Sequence, residues 1–127
     1  MGFRFKSMPE FDENFSRLPQ EFQQKVRKKL EFFKESPMQH IIKTSPMLSK
    51  PFAGIRHYSS GRMRLYFRIC KECIQCHYDT IHWRCKGCER IEDLIILFNV
   101  QLRRNDTYER RLKLDYTENI PSSDFEL

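Results

Sequence analysis

RMRLYFRI, residues 62–69, decides how this chain folds. Met63, Leu65, Phe67 and Ile69 alternate there with Arg62, Arg64, Tyr66 and Arg68. A β-strand sends successive side chains to opposite faces, so this period places four apolar groups on one side and three arginines and a tyrosine on the other. The stretch predicts a strand with an apolar inner face and a basic outer face.

Working outward, Ser60-Gly61 marks a turn, and residues 55–59 read as a short strand before it. Downstream, LIILFNVQLR (94–103) is apolar on both faces in its first half, as a central strand should be. Its second half alternates, with Phe98, Val100 and Leu102 on one side and Asn99, Gln101 and Arg103 on the other. Upstream, FRFKSM (3–8) alternates like a short first strand. Asp12 is placed to cap a short helix that stacks Phe11, Phe15 and Leu18. Pro19 suits the first turn of a second helix, where its missing N–H costs nothing. Phe22, Val26, Leu30 and Phe33 form the apolar stripe of that helix, while Lys25, Lys28 and Lys29 fall outside it as a solvated face. Ser36-Pro37 ends it. Three prolines between 37 and 52 then predict a loop with at most one short turn. A short helix is expected over 107–114, and the acidic TENIPSSDFEL (117–127) reads as a flexible tail.

These elements predict an α+β fold, with two N-terminal amphipathic helices packed on one face of an antiparallel sheet of about four strands. The opposite face then carries Arg62, Arg64, Tyr66, Arg68, Asn99, Gln101 and Arg103, and it is the candidate working surface.

Composition fits one domain over residues 1–127. Hydrophobic residues make up 39% and charged residues 31%, and eleven Phe allow a compact core. The formal net charge of +6 favours an acidic partner such as nucleic acid. The longest apolar run, 94–98, is too short to cross a bilayer, and MGFRFKSMPE lacks the apolar core of a signal peptide. The chain is therefore read as cytoplasmic, with no membrane partner.

All five cysteines fall in CKECIQCHYDTIHWRCKGC, residues 70–88. In a reducing compartment, paired CxxC motifs are more often zinc ligands than disulfide partners. Cys73 can pair with Cys70 or with Cys76. Lys-Glu and Lys-Gly tolerate a tight turn better than Ile-Gln, which selects Cys70, Cys73, Cys85 and Cys88 and leaves Cys76 spare. His77 and His82 are substitute ligands. Four thiolates fill a tetrahedral site and leave no open position, so the zinc is expected to be structural, within an insertion over 70–91. The rival reading is a nucleic-acid reader that uses His77, Tyr78, His82, Trp83, Arg84, Lys86 and Arg90.

LPQEFQQKVRKKLEFF, KPFAGIRHYSSGRMRLYFRI and LIILFNVQLRRNDTY together resemble the RelE/ParE superfamily of bacterial and archaeal toxins. The resemblance spans most of residues 1–110 apart from the cysteine insertion. It implies a protein antitoxin as partner and cleavage of mRNA on the ribosome. Carried over by position, Arg64 matches the arginine that contacts the scissile phosphate. Tyr108 matches the tyrosine near the C-terminal end of the active site, and Arg103 or Arg104 matches the arginine just past the last strand. Strand alternation favours Arg103, leaving Arg104 with general RNA contacts. Relatives often carry a histidine where this chain has LRRNDTY, so a general acid is not carried over there.

Metal-free RNA cleavage needs a proton acceptor for the 2′-OH and cations for the crowded phosphorane. Arg64 and Arg103 offer forked cationic donors. Tyr108 can orient the 2′-OH, and His57, on the strand beside Arg64, can take its proton. Arg62 and Arg68 suit general phosphate contacts. Each has a plainer counterpart: a solvated arginine row, a strand histidine held locally, a tyrosine packed at a helix start. The expected function is a ribosome-associated mRNA endoribonuclease with no catalytic metal and no small-molecule cofactor. The alternative is a nonenzymatic binding module of the same fold, contacting nucleic acid or protein through its zinc segment and basic face.

Overall fold

The computed structural model describes residues 2–49, 52–81, 85, 88–102 and 123–127. The strand predicted over residues 62–69 is β3 (Met63–Ile69). It pairs antiparallel with β2 (Arg56–Ser60) on one side and with β4 (Leu94–Leu102) on the other. Met63, Leu65, Phe67 and Ile69 are all fully buried in the main core, as their spacing requires. Gly61, at φ +58°, makes the turn between β2 and β3, a conformation that glycine adopts at little cost.

β4 is buried on both faces as far as Val100. Ile95, Leu97 and Val100 enter the main core, while Leu94, Ile96 and Phe98 enter a second, smaller core on the opposite face. The register against β3 shifts between Tyr66 and Phe67, so that Tyr66 faces Asn99 and Phe67 faces Leu97. This bulge puts one extra residue, Phe98, into β4.

The first strand, β1 (Arg4–Ser7), lies beside β4 and runs parallel to it. The expectation of an antiparallel sheet is thereby corrected to a mixed one, in the order β2-β3-β4-β1-β5 among the described residues. The helices that follow β1 carry the chain back across the sheet, so β2 starts again in the direction of β1. Two antiparallel pairings then return β4 to that same direction.

The helices are α1 (Pro9–Arg17), α2 (Gln20–Glu35) and α3 (Met38–Thr44). α1 begins three residues before the expected cap, with Met8 at the N-cap and Pro9 in the first turn. Asp12 instead accepts a 2.6 Å hydrogen bond from the Ser7 hydroxyl. Phe11 and Phe15, one turn apart, are buried and stacked at 5.6 Å. Pro19 sits at the N-cap of α2, and Val26, Leu30 and Phe33 are buried as predicted. Phe33 meets Phe67 at 5.2 Å, which ties this helix to β3. α3 overturns the loop expected after Pro37. Ile41 is its buried anchor, with Met38 and Ile42 packed beside it, a short stripe that the surrounding prolines obscured.

The acidic end is docked rather than loose over its last residues. β5 (Ser123–Asp124) pairs antiparallel with β1, and Phe125 sets its ring edge-on to Phe11 at 5.4 Å and to Phe15 at 5.3 Å. Arg27 lies over the Phe15 and Phe125 rings and donates to the Glu126 carbonyl at 3.0 Å. The expected helix over 107–114 and residues 117–122 of the expected tail lie outside the described residues.

Candidate functional site

The outer face of β2 and β3 is where the predicted working residues were expected. His57 stands opposite Tyr66, and Ser59 stands opposite Arg64. His57 and Arg64 are thus diagonal neighbours on adjacent strands, within reach of each other's charge. Burial, and then the charge of Arg64, hold the His57 imidazole below its ordinary pKa. Its ring centroid is 6.3 Å from that of Tyr66. On the far side of β3, Gln101 faces Arg64.

Arg64 is half-buried, and its guanidinium folds back over the β2–β3 turn. Nη1 donates to the carbonyls of Gly61 at 2.7 Å and Met63 at 3.0 Å. Those bonds aim the planar group at the end of the hairpin. Arg62 is exposed beside it.

The rest of the expected row is covered. Arg68 is 1% exposed, so the expectation of an accessible phosphate contact is corrected. Its guanidinium lies under the cysteine segment and donates from Nη1 to the Cys85 sulfur at 3.6 Å. Asn99 is fully buried and turned to α1, where its amide oxygen accepts from Asn14 at 2.6 Å and from the Val100 N–H at 2.8 Å. Tyr66 is 8% exposed and belongs to the second core. Arg103, Arg104 and Tyr108 lie outside the described residues, as do His82, Trp83, Arg84 and Lys86.

What covers the face is the chain on either side of the hairpin. Leu48, Phe52, Ile55, Cys85, Cys88 and Ile91 pack with Tyr66, Ile96 and Phe98. CKECIQC is not the tight turn expected of a knuckle. It forms helix α4 (Cys70–Cys76), capped by His77 in the left-handed region at φ 57°. A short helix α5 (Tyr78–Ile81) follows.

Cys70, Cys73 and Cys85 are buried and Cys88 is partly buried, whereas Cys76 is exposed. Burial pushes the Cys70 thiol up to about 12, helped by the neighbouring Cys85, Cys88 and Cys73. Burial likewise raises Cys73 to about 11 against the opposing pull of Arg68. Cys76 turns away and hydrogen-bonds with the Tyr78 hydroxyl. Cys85, Cys88 and Cys73 thus lie within reach of the Cys70 thiol. Among the described residues, no three His, Cys, Asp or Glu side chains stand in an arrangement that could hold a metal ion.

Two features escaped the sequence reading. The Arg56 Nε donates to Glu72 Oε1 at 2.9 Å and its Nη2 to Oε2 at 2.6 Å, while Nη1 donates to the Ser45 carbonyl at 2.8 Å. No local pattern links residues so far apart in the chain. The second is Lys29, assigned to a solvated face. Its ammonium lies 4.3 Å from the Tyr58 ring centroid and 4.7 Å from that of Phe32. Lys25, Lys28 and Lys29 line a cleft with Phe32, Tyr58 and Met63, so positive charge runs from α2 around the sheet edge to the hairpin of Arg62 and Arg64. No described helix is long and apolar enough to cross a membrane.

No protein family and no curated protein matches the sequence. Among solved structures, the chain is similar to one from the crystal structure of the toxin–antitoxin complex RelBE2 from Mycobacterium tuberculosis. The similarity covers 81% of this chain and 100% of that one, with a TM-score of 0.53 and 14% identity. At that identity the likeness concerns the fold, and the RelE-like α+β architecture expected from the sequence is borne out.

Proposed function

We propose that this chain is the toxin of a toxin–antitoxin pair and cuts mRNA engaged by the ribosome. The observation that carries the reading is the diagonal pair His57 and Arg64 on one sheet face, an imidazole whose pKa is lowered beside a guanidinium held at the turn. Likeness in fold to a chain of a toxin–antitoxin complex supports the toxin assignment and a protein antitoxin as partner.

In this reading His57 accepts the proton of the ribose 2′-OH. The 2′-oxygen attacks the adjacent phosphorus in line and the P–O5′ bond breaks. The products are a 2′,3′-cyclic phosphate and a 5′-hydroxyl, with the departing oxygen taking a proton from water. Arg64 donates to the phosphoryl oxygens as negative charge builds on them. Arg103 and Tyr108 are assigned on sequence grounds alone to assist the phosphate and to orient the 2′-OH. Arg62 and the α2 lysines hold the RNA backbone without reading its sequence. The ribosome supplies what this short face lacks, by fixing the message in the in-line geometry.

The test compares cleavage of free RNA with cleavage of ribosome-engaged mRNA. Wild-type protein should cut the engaged message and leave free RNA largely intact. Arg64→Ala should slow cutting by about two to three powers of ten while the fold is retained, because a single preorganised donor to developing charge is worth that much. Leu65→Ala, in the core, should lose fold and activity together. Intact engaged message under well-folded wild-type protein would leave the nonenzymatic binding module as the better account.

A further inference from the structure

We propose that Cys70, Cys73, Cys85 and Cys88 bind one zinc ion as a structural tetrathiolate site, with the buried Arg68 guanidinium as its charge-compensating donor. The proposal stands apart from the nuclease reading, since it concerns what holds the cysteine segment over the sheet.

The first observation is the direction of the thiols. Cys70 and Cys73 are three residues apart on α4, so they share a helix face, and both are buried. Cys85 is 5% exposed and lies with Cys70 and Cys88 in the second core. The Cys88 N–H donates to the Cys85 carbonyl at 3.2 Å, which holds the backbone of these two residues close together. Each pair is therefore held close in the chain, one by a helix turn and the other by a backbone hydrogen bond.

The second observation is what faces the sulfurs. The Asp79 backbone N–H hydrogen-bonds to the Cys73 sulfur, and Arg68 Nη1 donates to the Cys85 sulfur at 3.6 Å. A neutral thiol is a weak acceptor and gives a buried cation little in return. Four thiolates around Zn²⁺ retain net negative charge, which a buried guanidinium and a backbone N–H offset. Hydrogen bonds of this outer shell orient metal ligands and tune affinity.

Four thiolates suit zinc above the hard divalent cations, and a filled tetrahedron leaves no position for water or substrate. Among the described residues no three donors are grouped closely enough to hold the ion. Zinc binding is therefore expected to bring the Cys85 and Cys88 sulfurs up to those of Cys70 and Cys73. Cys76 lies outside the set, exposed and hydrogen-bonded to Tyr78.

The test is metal content of the purified full-length chain under reducing conditions, together with the visible spectrum after cobalt(II) substitution. One zinc per chain and tetrahedral thiolate bands are expected. Cys70→Ser, Cys85→Ser and the partly exposed Cys88→Ser should each lose the metal, and Cys76→Ser should keep it. Arg68→Met should lower zinc affinity by about 10–100-fold in competition with a chelator, with Arg68→Lys recovering part of the loss. Far-ultraviolet circular dichroism separates loss of ligand from loss of fold, and Cys88→Ser is the variant least exposed to that ambiguity. A well-folded wild-type chain without metal, a disulfide between these cysteines, or a folded Cys88→Ser protein that keeps its zinc would each overturn the site. Zinc affinity in Arg68→Met equal to wild type would overturn the role given to the arginine.

Discussion

Arg56 and Glu72 form a buried, two-pronged ion pair whose side chains are 11% and 6% exposed. It joins the strand that carries His57 to the helix that carries Cys70 and Cys73. The pair thereby ties β2 directly to α4.

Breaking that pair should be expensive. Glu72→Ala strands a buried guanidinium and should cost about 3–5 kcal/mol in denaturant unfolding. Replacing both residues with apolar groups of similar size should recover most of the loss. A cost below about 1 kcal/mol for Glu72→Ala, the range of exposed pairs, would place the pair in water.

His57 should titrate below the usual imidazole range, as followed by NMR of its ring protons. Arg64→Ala should move that titration upward without fully restoring it, because burial is the larger cause. The sign for stability follows. The unfolded imidazole binds a proton at higher pH than the folded one, so this contribution is present above the ordinary His value and fades as pH falls through the folded value. Cleavage should accordingly retain its active base to lower pH than an unperturbed histidine allows. An upward shift in the wild-type ring would remove His57 as a neutral base.

Gly54 sits at φ +102°, and a Cβ there would lie 3.1 Å from Nη2 of Arg68. Gly54→Ala should destabilise the fold by about 1–3 kcal/mol, the scale of a residue forced into a sparse backbone region. Thermal unfolding measures it. A neutral result would mean that the 52–55 segment re-forms around the methyl group.

Phe125→Ala should free the C-terminal strand, since the ring makes two edge-on contacts with Phe11 and Phe15 and lies under Arg27. Each aromatic pair is worth about 0.5–1.5 kcal/mol beyond area burial. Proteolysis near the C-terminus should accelerate. Removing residues 123–127 should also leave the β1 edge unpaired and make the chain prone to concentration-dependent association, readable by light scattering. Unchanged proteolysis in Phe125→Ala would show that the strand is held without its ring.

Much of the fold was legible because it is written in local period. The two-residue alternation of 62–69 placed β3 and its buried face, and the stripe of Val26, Leu30 and Phe33 placed α2. The apolar run from Leu94 made β4 a central strand. The His57–Arg64 neighbourhood was legible too, because a hairpin with a Gly turn fixes which residues sit diagonally. α3 was missed because prolines on both sides masked a stripe only five residues long.

Tertiary structure alone decided which of these faces meets water. Arg64 and Arg68 have the same parity on one strand, yet one lies half-open at the turn and the other lies sealed beneath Cys85. Alternation states which side a residue faces but carries nothing about which segment packs over that side. Asn99 was drawn to Asn14 on α1, Arg56 was buried against Glu72, and the acidic end was captured by Phe11, Phe15 and Arg27. The direction of β1 likewise followed from the path of the intervening helices. Each depends on groups brought together across long stretches of chain, where burial and hydrogen-bond satisfaction act on the assembled neighbourhood and not on the local sequence.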